Sequence, residues 1–328
     1  MKKTIISLVL TVCLIMAFAG MTLASDYPSG PITMIAPSGA GGGWDTTIRS
    51  VAKVLEDQDL VDVPLPVVNK SGAGGGIALS YLQDKEGEAK NIVVYSPPLL
   101  LINLTGQTPY SYKDLTPIAK LIEDYGIFAV ADDSKYENID QVMEQLKEDP
   151  GSITIAGASS PGSMDHIQFL IAAKAAGVTN LDKINYISFQ EGEGIANVLG
   201  GHIDMISTGL AEVVGLLESG DVRGLAVTSK ERIETSPLNK VPTLKEEGID
   251  ATFVNWRGLF GPPNMPEEAL NFWRNNLKKM VKTDQWNQIA KNNGWNKAFM
   301  EPDEFSDFLK NANEDYKGIL SDIGMLAE

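Results

Sequence analysis

The chain has 328 residues, with 43 acidic and 27 basic side chains and a formal net charge of −16. This charge argues against a nucleic-acid partner, because such binding depends on clustered Lys and Arg that neutralise phosphates. It also argues against adhesion to anionic membranes. One cysteine and two histidines allow no intrachain disulfide and nearly exclude a histidine-rich zinc or catalytic site. We therefore expect neither a metal nor another cofactor.

Residues 1–24 have the pattern of a secretory signal peptide. Lys2 and Lys3 precede an apolar run from Ile5 to Met21, and small residues around Ala24 offer a cleavage site. A retained N-terminal anchor is the alternative, since about 17 apolar residues lie at the lower limit for crossing a bilayer. No basic cluster follows the run, which favours cleavage. We expect a soluble mature protein in the periplasm or otherwise outside the cytoplasm.

Short β-branched runs alternate with amphipathic segments through the rest of the chain. The predicted strands are Ile32–Ala36, Leu65–Asn69, Ile92–Ser96, Ile127–Val130, Ile153–Ala156, Asn185–Ser188, Ile203–Ser207 and Gly224–Thr228. The predicted helices are Asp45–Asp57, Asp140–Glu148, Met164–Ala176, Ile195–Leu199, Glu212–Glu218, Glu267–Val281 and Pro302–Ile319. In the first helix an apolar stripe at i, i+3, i+4 and i+7 begins at Ile48. The alternation predicts an α/β fold with a mostly parallel sheet.

Two glycine-rich loops follow the first two strands. They read Ala36-Pro-Ser-Gly-Ala-Gly-Gly-Gly-Trp-Asp45 and Ser71-Gly-Ala-Gly-Gly-Gly76. Neither fits the dinucleotide pattern G-x-G-x-x-G, and neither carries the lysine of a P-loop. Glycines let backbone N–H groups approach a ligand closely, and the N-terminus of a following helix favours an anion. Two tight turns without a ligand are the alternative. We expect Asp45 to be the N-cap of a helix that starts at Thr46.

A third loop, Ala158-Ser-Ser-Pro-Gly-Ser163, again separates a predicted strand from a predicted helix. It contains three hydroxyl groups, and Ser160 and Ser163 are possible N-caps. In open α/β sheets, ligands bind outside the carboxyl ends of the strands. Three such loops that converge would form an anion pocket from neutral donors.

Other candidate residues give weaker signals. His166 could act as a base with Ser163 as nucleophile, but no positioned pair is evident from the sequence. Arg257 could clamp a carboxylate of the ligand, although we favour a pair with a carboxylate inside the fold. Arg49 lies on the first helix, where an ion pair or packing is the simpler interpretation.

These three loops and four further motifs resemble the solute-binding proteins of tripartite tricarboxylate transporters, a family with Bug-type members. The further motifs are Val198-Leu-Gly-Gly-His-Ile-Asp204, Arg223-Gly-Leu-Ala-Val-Thr228, Val241-Pro-Thr-Leu244 and Asn255-Trp-Arg-Gly-Leu-Phe-Gly-Pro262. They run in order across nearly the whole mature chain, which makes the match more specific than any single loop. The first loop is closer to the tricarboxylate branch than to the Pro-Gly-Gly-x-x-Asp of Bug-type members.

The resemblance implies a two-domain periplasmic-binding-protein fold of type II, in which two strands cross between the domains. The crossings are expected near Gly126–Val130 and Arg223–Thr228. Domain I would then comprise residues 25–125 and 230–328, and domain II would be the continuous insert 126–229.

The resemblance also implies an organic acid bound in the cleft between the domains. One carboxylate would be held by backbone amides and water at the first two loops. The implied ligand-binding residues are Ser38, Gly41, Gly42, Gly43, Trp44, Asp45, Gly74, Gly75, Ser159, Ser160, Gly162, Ser163, Gln190 and Thr208. Ser38 and Ala40 depart from the Phe and Pro common in Bug-type loops. Gln190-Glu191 stands where the family often has Tyr-Lys-Gly, so the contacts to a distal carboxylate are open.

We therefore expect a monomeric binding protein, not an enzyme. It would capture a citrate-like di- or tricarboxylate and deliver it to the membrane permease subunits of a tripartite tricarboxylate transporter. One alternative is an extracytoplasmic hydrolase of small esters that uses Ser163 and His166. Another is a ligand sensor for a membrane kinase.

Overall fold

A computed structural model describes residues 27–189 and 192–327 of the chain. The predicted signal peptide and Gln190 lie outside these ranges. The strands are β1 (Thr33–Ala36), β2 (Val67–Asn69), β3 (Asn91–Tyr95), β4 (Thr116–Ala131), β5 (Thr154–Gly157), β6 (Asn185–Ser188), β7 (Met205–Gly209), β8 (Val222–Val227), β9 (Val254–Gly261) and β10 (Asn296–Met300). The α-helices are α1 (Gly43–Asp57), α2 (Gly76–Gln83), α3 (Pro98–Leu104), α4 (Ile139–Glu148), α5 (Met164–Ala175), α6 (Glu193–Leu199), α7 (Leu210–Ser219), α8 (Glu267–Met280), α9 (Asp284–Asn292) and α10 (Pro302–Asp322).

The α/β prediction is confirmed, but the sheet is less parallel than expected. Its strand order is β2-β1-β3-β9-β4-β7-β5-β6, and β8 and β10 also pair with β4. The pairs at the two ends are parallel: β1 with β2 and β3, and β5 with β6 and β7. Every pair that involves β4 or β9 is antiparallel. The sheet is therefore mixed, with two parallel ends joined through an antiparallel centre.

Strand β4 joins the two ends of the sheet. Residues Thr116–Tyr125 pair with β9, whereas Gly126–Ala131 pair with β7 and β8. The sequence predicted a strand only over Ile127–Val130 and missed the first part. We call β2, β1, β3, β9, β10 and residues 116–125 of β4 half I. We call β5, β6, β7, β8 and residues 126–131 of β4 half II.

The two chain connections between the halves lie side by side. The Gly126 amide donates to Thr228 Oγ1 at 2.8 Å, and the Thr228 amide donates to the Gly126 carbonyl at 3.0 Å. The Thr228 hydroxyl donates in turn to the Phe253 carbonyl at 2.8 Å. A single threonine thus ties together β4, the end of β8 and the segment that leads to β9.

The sheet is buried on both faces, as expected when helices cover each side. Neighbouring residues of β1 point to opposite faces, so that Ile35 and Met34 belong to different apolar clusters. The cluster that contains Ile35 also includes Phe128 and Phe169 of half II. The apolar stripe predicted for α1 is confirmed, because Ile48, Val51, Ala52 and Leu55 are all buried. Among the described helices, none is long and apolar enough to cross a membrane.

Candidate functional site

The first two glycine loops meet at the carboxyl edge of half I. Strands β1, β2 and β3 are parallel, so the loops that follow β1 and β2 emerge side by side. A Cβ atom placed on Gly75 would lie 3.3 Å from the Trp44 ring and 3.5 Å from Pro37 Cβ. The Trp44 Nε1–H donates to Ser96 Oγ at 2.9 Å, and the Tyr95 hydroxyl donates to the Gly75 carbonyl at 2.8 Å. The loops therefore form one packed surface with the end of β3.

Helix α1 begins at Gly43, with Gly42 as its N-cap, so the predicted start at Thr46 is wrong. Asp45 lies inside the first turn rather than at the cap. The amides of Gly43, Trp44 and Asp45 have no hydrogen-bond partner within the described part of the chain. The first amides of a helix lack intrahelical acceptors. Three adjacent donors at the positive end of the helix dipole suit an anion such as a carboxylate.

The side chain of Asp45 fixes the first loop instead of facing a ligand. Its carboxylate accepts from the Gly41 amide at 2.9 Å, from Asn69 Nδ2 at 2.8 Å and from Arg49 Nε at 2.9 Å. The hydrogen bond from Arg49 is the main reason that the pKa of Asp45 is lowered to about 2. Arg49 thus makes the ion pair that the sequence favoured.

The Arg257 guanidinium lies next to Gly43, at the start of α1. The residue is 8% exposed, with Nη2 at 3.5 Å from Asp124 Oδ2 and Nη1 donating to Thr47 Oγ1 at 3.1 Å. A Cβ atom on Gly43 would lie 2.7 Å from Nη2, so a larger residue there would displace the guanidinium. Burial lowers the pKa of Arg257, and the charges of Asp124 and Glu212 oppose this shift. The guanidinium remains a cation at neutral pH.

The third loop is tied to the start of α5 by a buried carboxylate. Asp165 Oδ2 accepts from the Ala158 amide at 3.0 Å and from the Ser159 amide at 2.9 Å. In return the Asp165 amide donates to Ser159 Oγ at 2.8 Å. The predicted cap Ser163 does occupy the N-cap position, but its side chain makes no capping hydrogen bond. Ser159 satisfies this helix end instead.

Two further amides of this loop are also engaged. The Ser163 amide donates to the Ser160 carbonyl at 2.9 Å, and the Gly162 amide donates to His166 Nδ1 at 3.0 Å. The His166 ring stacks on Tyr186 with 4.5 Å between ring centroids. Burial lowers the pKa of His166 to about 4, so the ring is neutral at pH 7. These contacts give no support to a Ser163–His166 nucleophile and base pair.

The carboxyl group of Asp165, in the first turn of α5, has a strongly raised pKa. It is 2% exposed, and its Oδ1 has no hydrogen-bond partner in the part of the chain that the structure describes. Burial raises the pKa of Asp165 to about 7, and the charge of Glu212 adds to the rise. This carboxyl group therefore titrates near neutral pH.

The end of β7 completes the site in half II. Thr208 is fully buried, and its hydroxyl donates to Glu212 Oε2 at 2.7 Å. Gln168 Nε2 donates to Ser207 Oγ at 2.9 Å and to the Thr208 carbonyl at 3.2 Å, which fixes this strand end. Glu212, in the first turn of α7, acts electrostatically on Arg257 of half I and on Asp165 of half II.

The structure therefore brings the predicted site residues into two groups. The group in half I comprises Ser38, Gly41, Gly42, Gly43, Trp44, Asp45, Gly74 and Gly75, and the group in half II comprises Ser159, Ser160, Gly162, Ser163 and Thr208. Their role as ligand contacts stays a prediction, as does that of Gln190.

Sequence reasoning missed the contributions of Ser96, Asp165, Tyr186 and Glu212. Ser96 directly follows a strand and Asp165 and Glu212 lie in first helical turns, which is the signal that could have found them.

The mixed sheet in two halves, with helices on its faces, is the fold of periplasmic solute-binding proteins. Residues 48–325 match the model of the tripartite tricarboxylate transporter family receptors, and the chain belongs to this family. The family is one of receptors for solutes, not a class of enzymes, and the resemblance seen in the sequence is confirmed.

Relatives and solved structures agree with this assignment. Protein BugT of Bordetella pertussis is 24% identical over 92% of this chain and 91% of its own length. The crystal structure of a TctC solute-binding protein from Polaromonas is similar with a TM-score of 0.74 and 29% identity, and the match covers 90% of this chain and 99% of that one. Rpa4515 of R. palustris, solved with adipate, has a TM-score of 0.78 and 20% identity, with coverage of 91% and 99%.

Proposed function

We propose that this protein is an extracytoplasmic receptor that captures a small carboxylate between its two halves and presents it to the permease of a tripartite tricarboxylate transporter. The observation that carries the proposal is the row of free amides at Gly43, Trp44 and Asp45. These donors need no rearrangement to bind a carboxylate, and Arg257 adds a positive charge behind them. A carboxylate is the simplest ligand that satisfies both.

The family and the adipate of a neighbouring structure favour the same ligand chemistry. Adipate carries two carboxylates, and the protein that binds it has the same fold. The resemblance makes di- and tricarboxylates of the citrate type the first candidates for this chain. An acidic protein can hold such an anion because donors at contact range outweigh distant charges, which salt screens within about 10 Å.

Closure of the two halves over the ligand would couple binding to recognition by the permease. The pairing of Gly126 with Thr228 places both connections at one point, which suits rotation about a hinge. The domain division follows this point: residues 25–125 and 230–328 on one side, and 126–229 on the other. Removal of the signal peptide 1–24 would release a monomeric receptor outside the cytoplasm.

The test is a calorimetric and thermal-shift titration of the protein from Ser25 onward with citrate, malate, succinate, adipate and acetate. A ligand that binds only the folded state raises the melting temperature. We expect at least one of these acids to do so with a dissociation constant in the micromolar range or below. No shift with any small carboxylate, including amino acids, would overturn the proposal.

Two glycine variants locate the carboxylate. Gly43→Ala should reduce the affinity by roughly 10- to 100-fold, because charge-assisted hydrogen bonds contribute about 1.5–3 kcal/mol. Gly39→Ala is the matched control, since a Cβ there meets no atom within 4 Å. Equal affinities for the two variants would remove the start of α1 from the site.

A further inference from the structure

The last helix of the protein runs from one half to the other. Its first part packs inside half I, where the centroid of the buried Phe305 ring lies 5.2 Å from that of Phe260 and 5.6 Å from that of Trp256 in β9. Its last residue, Asp322, forms an ion pair with Lys174 of α5 in half II. Helix α10 is therefore anchored in half I and ends against half II.

The residues after α10 return to half I. Gly324 follows the helix with a φ of +66°, a left-handed conformation that suits glycine at the end of a helix. The Ala327 amide then donates to the Leu104 carbonyl at 2.8 Å, at the end of α3 in half I. We call residues 320–327 the C-terminal arm. The arm is thus held by half I on both sides of its contact with Lys174.

The C-terminal arm also touches the third loop of half II. A Cβ atom placed on Gly162 would lie 2.8 Å from the Met325 methyl carbon and 3.4 Å from Thr105 Cγ2, just after α3. Gly162 is buried and has a φ of +79°, so a larger residue would be strained and would displace Met325. The third loop therefore rests on two elements of half I, one of which is the arm.

The contact between α5 and α10 is loosely packed. A cavity of about 600 Å³ lies between them, lined by Ile171 and Ala175 of α5, by Ala312 and Tyr316 of α10 and by Phe253. The Phe253 carbonyl accepts from Thr228, where the connections between the halves meet. Close-packed interiors hold few voids larger than a water molecule. The two helices can therefore shift past each other here more readily than elements inside a close-packed core.

Such contacts decide how the halves are distributed between different arrangements. The connections at Gly126 and Thr228 join the halves, and any contact formed in only one arrangement stabilises that arrangement. The ion pair of Asp322 with Lys174 is about half exposed, and pairs of this kind contribute little. It can break without unfolding either half. Sliding of packed helices is one of the common ways in which domains move.

We infer that the C-terminal arm holds α5 and the third loop of half II in the described arrangement and thereby sets the balance between an open and a closed cleft. This role rests on the proposed function, because closure over a ligand is what the balance would control. The hold of the arm on half II is measurable without a ligand.

Distances between spin labels on the two halves test this hold. The one cysteine of the chain lies in the predicted signal peptide, so the protein from residue 25 onward can be labelled selectively at introduced cysteines. Ser80→Cys on α2 and Ser219→Cys on α7 are exposed positions. Deletion of residues 323–328 should shift or broaden the distance distribution, because the described arrangement loses its contact with the third loop. An unchanged distribution in the folded deletion variant would overturn the inference.

Two lysine variants form a matched pair, which also decides the question if the deletion variant does not fold. Lys174→Gln breaks an ion pair between the halves, and Lys278→Gln breaks the pair with Glu301 inside half I. The paired side chains are similarly exposed, 49% and 41% against 51% and 40%. Lys174→Gln should change the ratio of the label populations by about two- to fivefold, as for other exposed ion pairs. Lys278→Gln should leave the ratio unchanged, and equal behaviour of both variants would overturn the inference.

The affinity for the ligand should follow the distance between the halves. The probe is the acid that raises the melting temperature in the titration above. A variant whose labels move apart should bind this acid more weakly, and one whose labels move closer should bind it more tightly. An affinity that stays constant while the distance changes would overturn the control of the cleft by the arm. If no acid binds the unmodified protein, the proposed function fails, whereas the label distances still decide whether the arm holds the halves.

Discussion

Two carboxylates hold two loops of this protein in similar ways, yet the pKa of one is lowered and the pKa of the other is raised. Asp45 and Asp165 both lie in the first turn of a helix and accept from amides of the loop before it. Arg49 keeps the pKa of Asp45 at about 2, whereas burial raises the pKa of Asp165 to about 7. The same local device thus gives a neutralised loop in half I and an uncompensated one in half II. The Arg49 cation one helical turn away and the burial of Asp165, rather than the shared loop geometry, set this difference.

The largest effect is expected from the cation behind the first loop. Arg257→Met would leave Asp124 buried without its partner, which costs about 3–5 kcal/mol of unfolding free energy. Urea denaturation at pH 7 measures this loss. The affinity for carboxylates should fall in the same variant, because the positive charge behind α1 is gone.

A double variant separates the two effects of Arg257. Asp124→Asn added to Arg257→Met removes the uncompensated charge and should recover most of the stability. It should not restore carboxylate affinity. Full recovery of both stability and carboxylate affinity would mean that Arg257 stabilises the fold but does not contribute to ligand binding. The first and third loops would then differ less in charge than we infer.

The next effect concerns the pH dependence of the uncompensated loop. The pKa of Asp165 is about 7 in the folded protein and 3.8 in the reference state, so the folded state holds the proton longer. Stability from this group is therefore present at low pH and is lost as pH rises from about 4 to 7. Asp165→Asn removes this loss, so the difference in unfolding free energy between the variant and wild type should rise by about 3 kcal/mol between pH 4.5 and 8.

His166 has the opposite dependence and provides the control. Burial lowers its pKa from 6.5 to about 4, so its contribution is lost as pH falls through this range. In wild type the two neighbours oppose each other. The Asp165→Asn variant should keep the contribution of His166, and adding His166→Gln should remove it, so the difference between the two curves measures this residue. An Asp165→Asn curve parallel to that of wild type would contradict the assignment.

The smallest effect is expected at the serine that satisfies the start of α5. Ser159→Ala removes the acceptor of the Asp165 amide and should cost about 1 kcal/mol, as for other lost helix caps. Ser163→Ala should cost less, because Ser163 makes no capping hydrogen bond. Thermal denaturation of both variants compares the two serines. A larger loss for Ser163→Ala would show that the cap is misassigned.

The sequence predicted features that depend on neighbouring residues and missed those that depend on distant ones. The stripe of α1 was predictable because Ile48 and Leu55 belong to one short periodic segment. The first part of β4 was missed because it contains polar residues, among them Lys120. This lysine is fully buried through an ion pair with Glu123 and the ring of Phe308, 4.1 Å away.

The candidate site shows the same limit. The glycine loops were recognisable from their composition, and the structure places them together. The start of α1 was misjudged because Asp45 is a good cap by type, whereas its carboxylate accepts from Asn69 of β2 and from Arg49 of α1. The raised pKa of Asp165 could not be predicted from the sequence, because it depends on burial and on the charge of Glu212 from another helix.

The single strand β4 has a consequence for how the protein unfolds. Its residues 116–125 are needed by half I and residues 126–131 by half II, and one apolar cluster extends through both. Loss of either half would strip hydrogen bonds and packing from the other. The chain should therefore melt in one cooperative transition, and a ligand held at the cleft would protect the whole molecule.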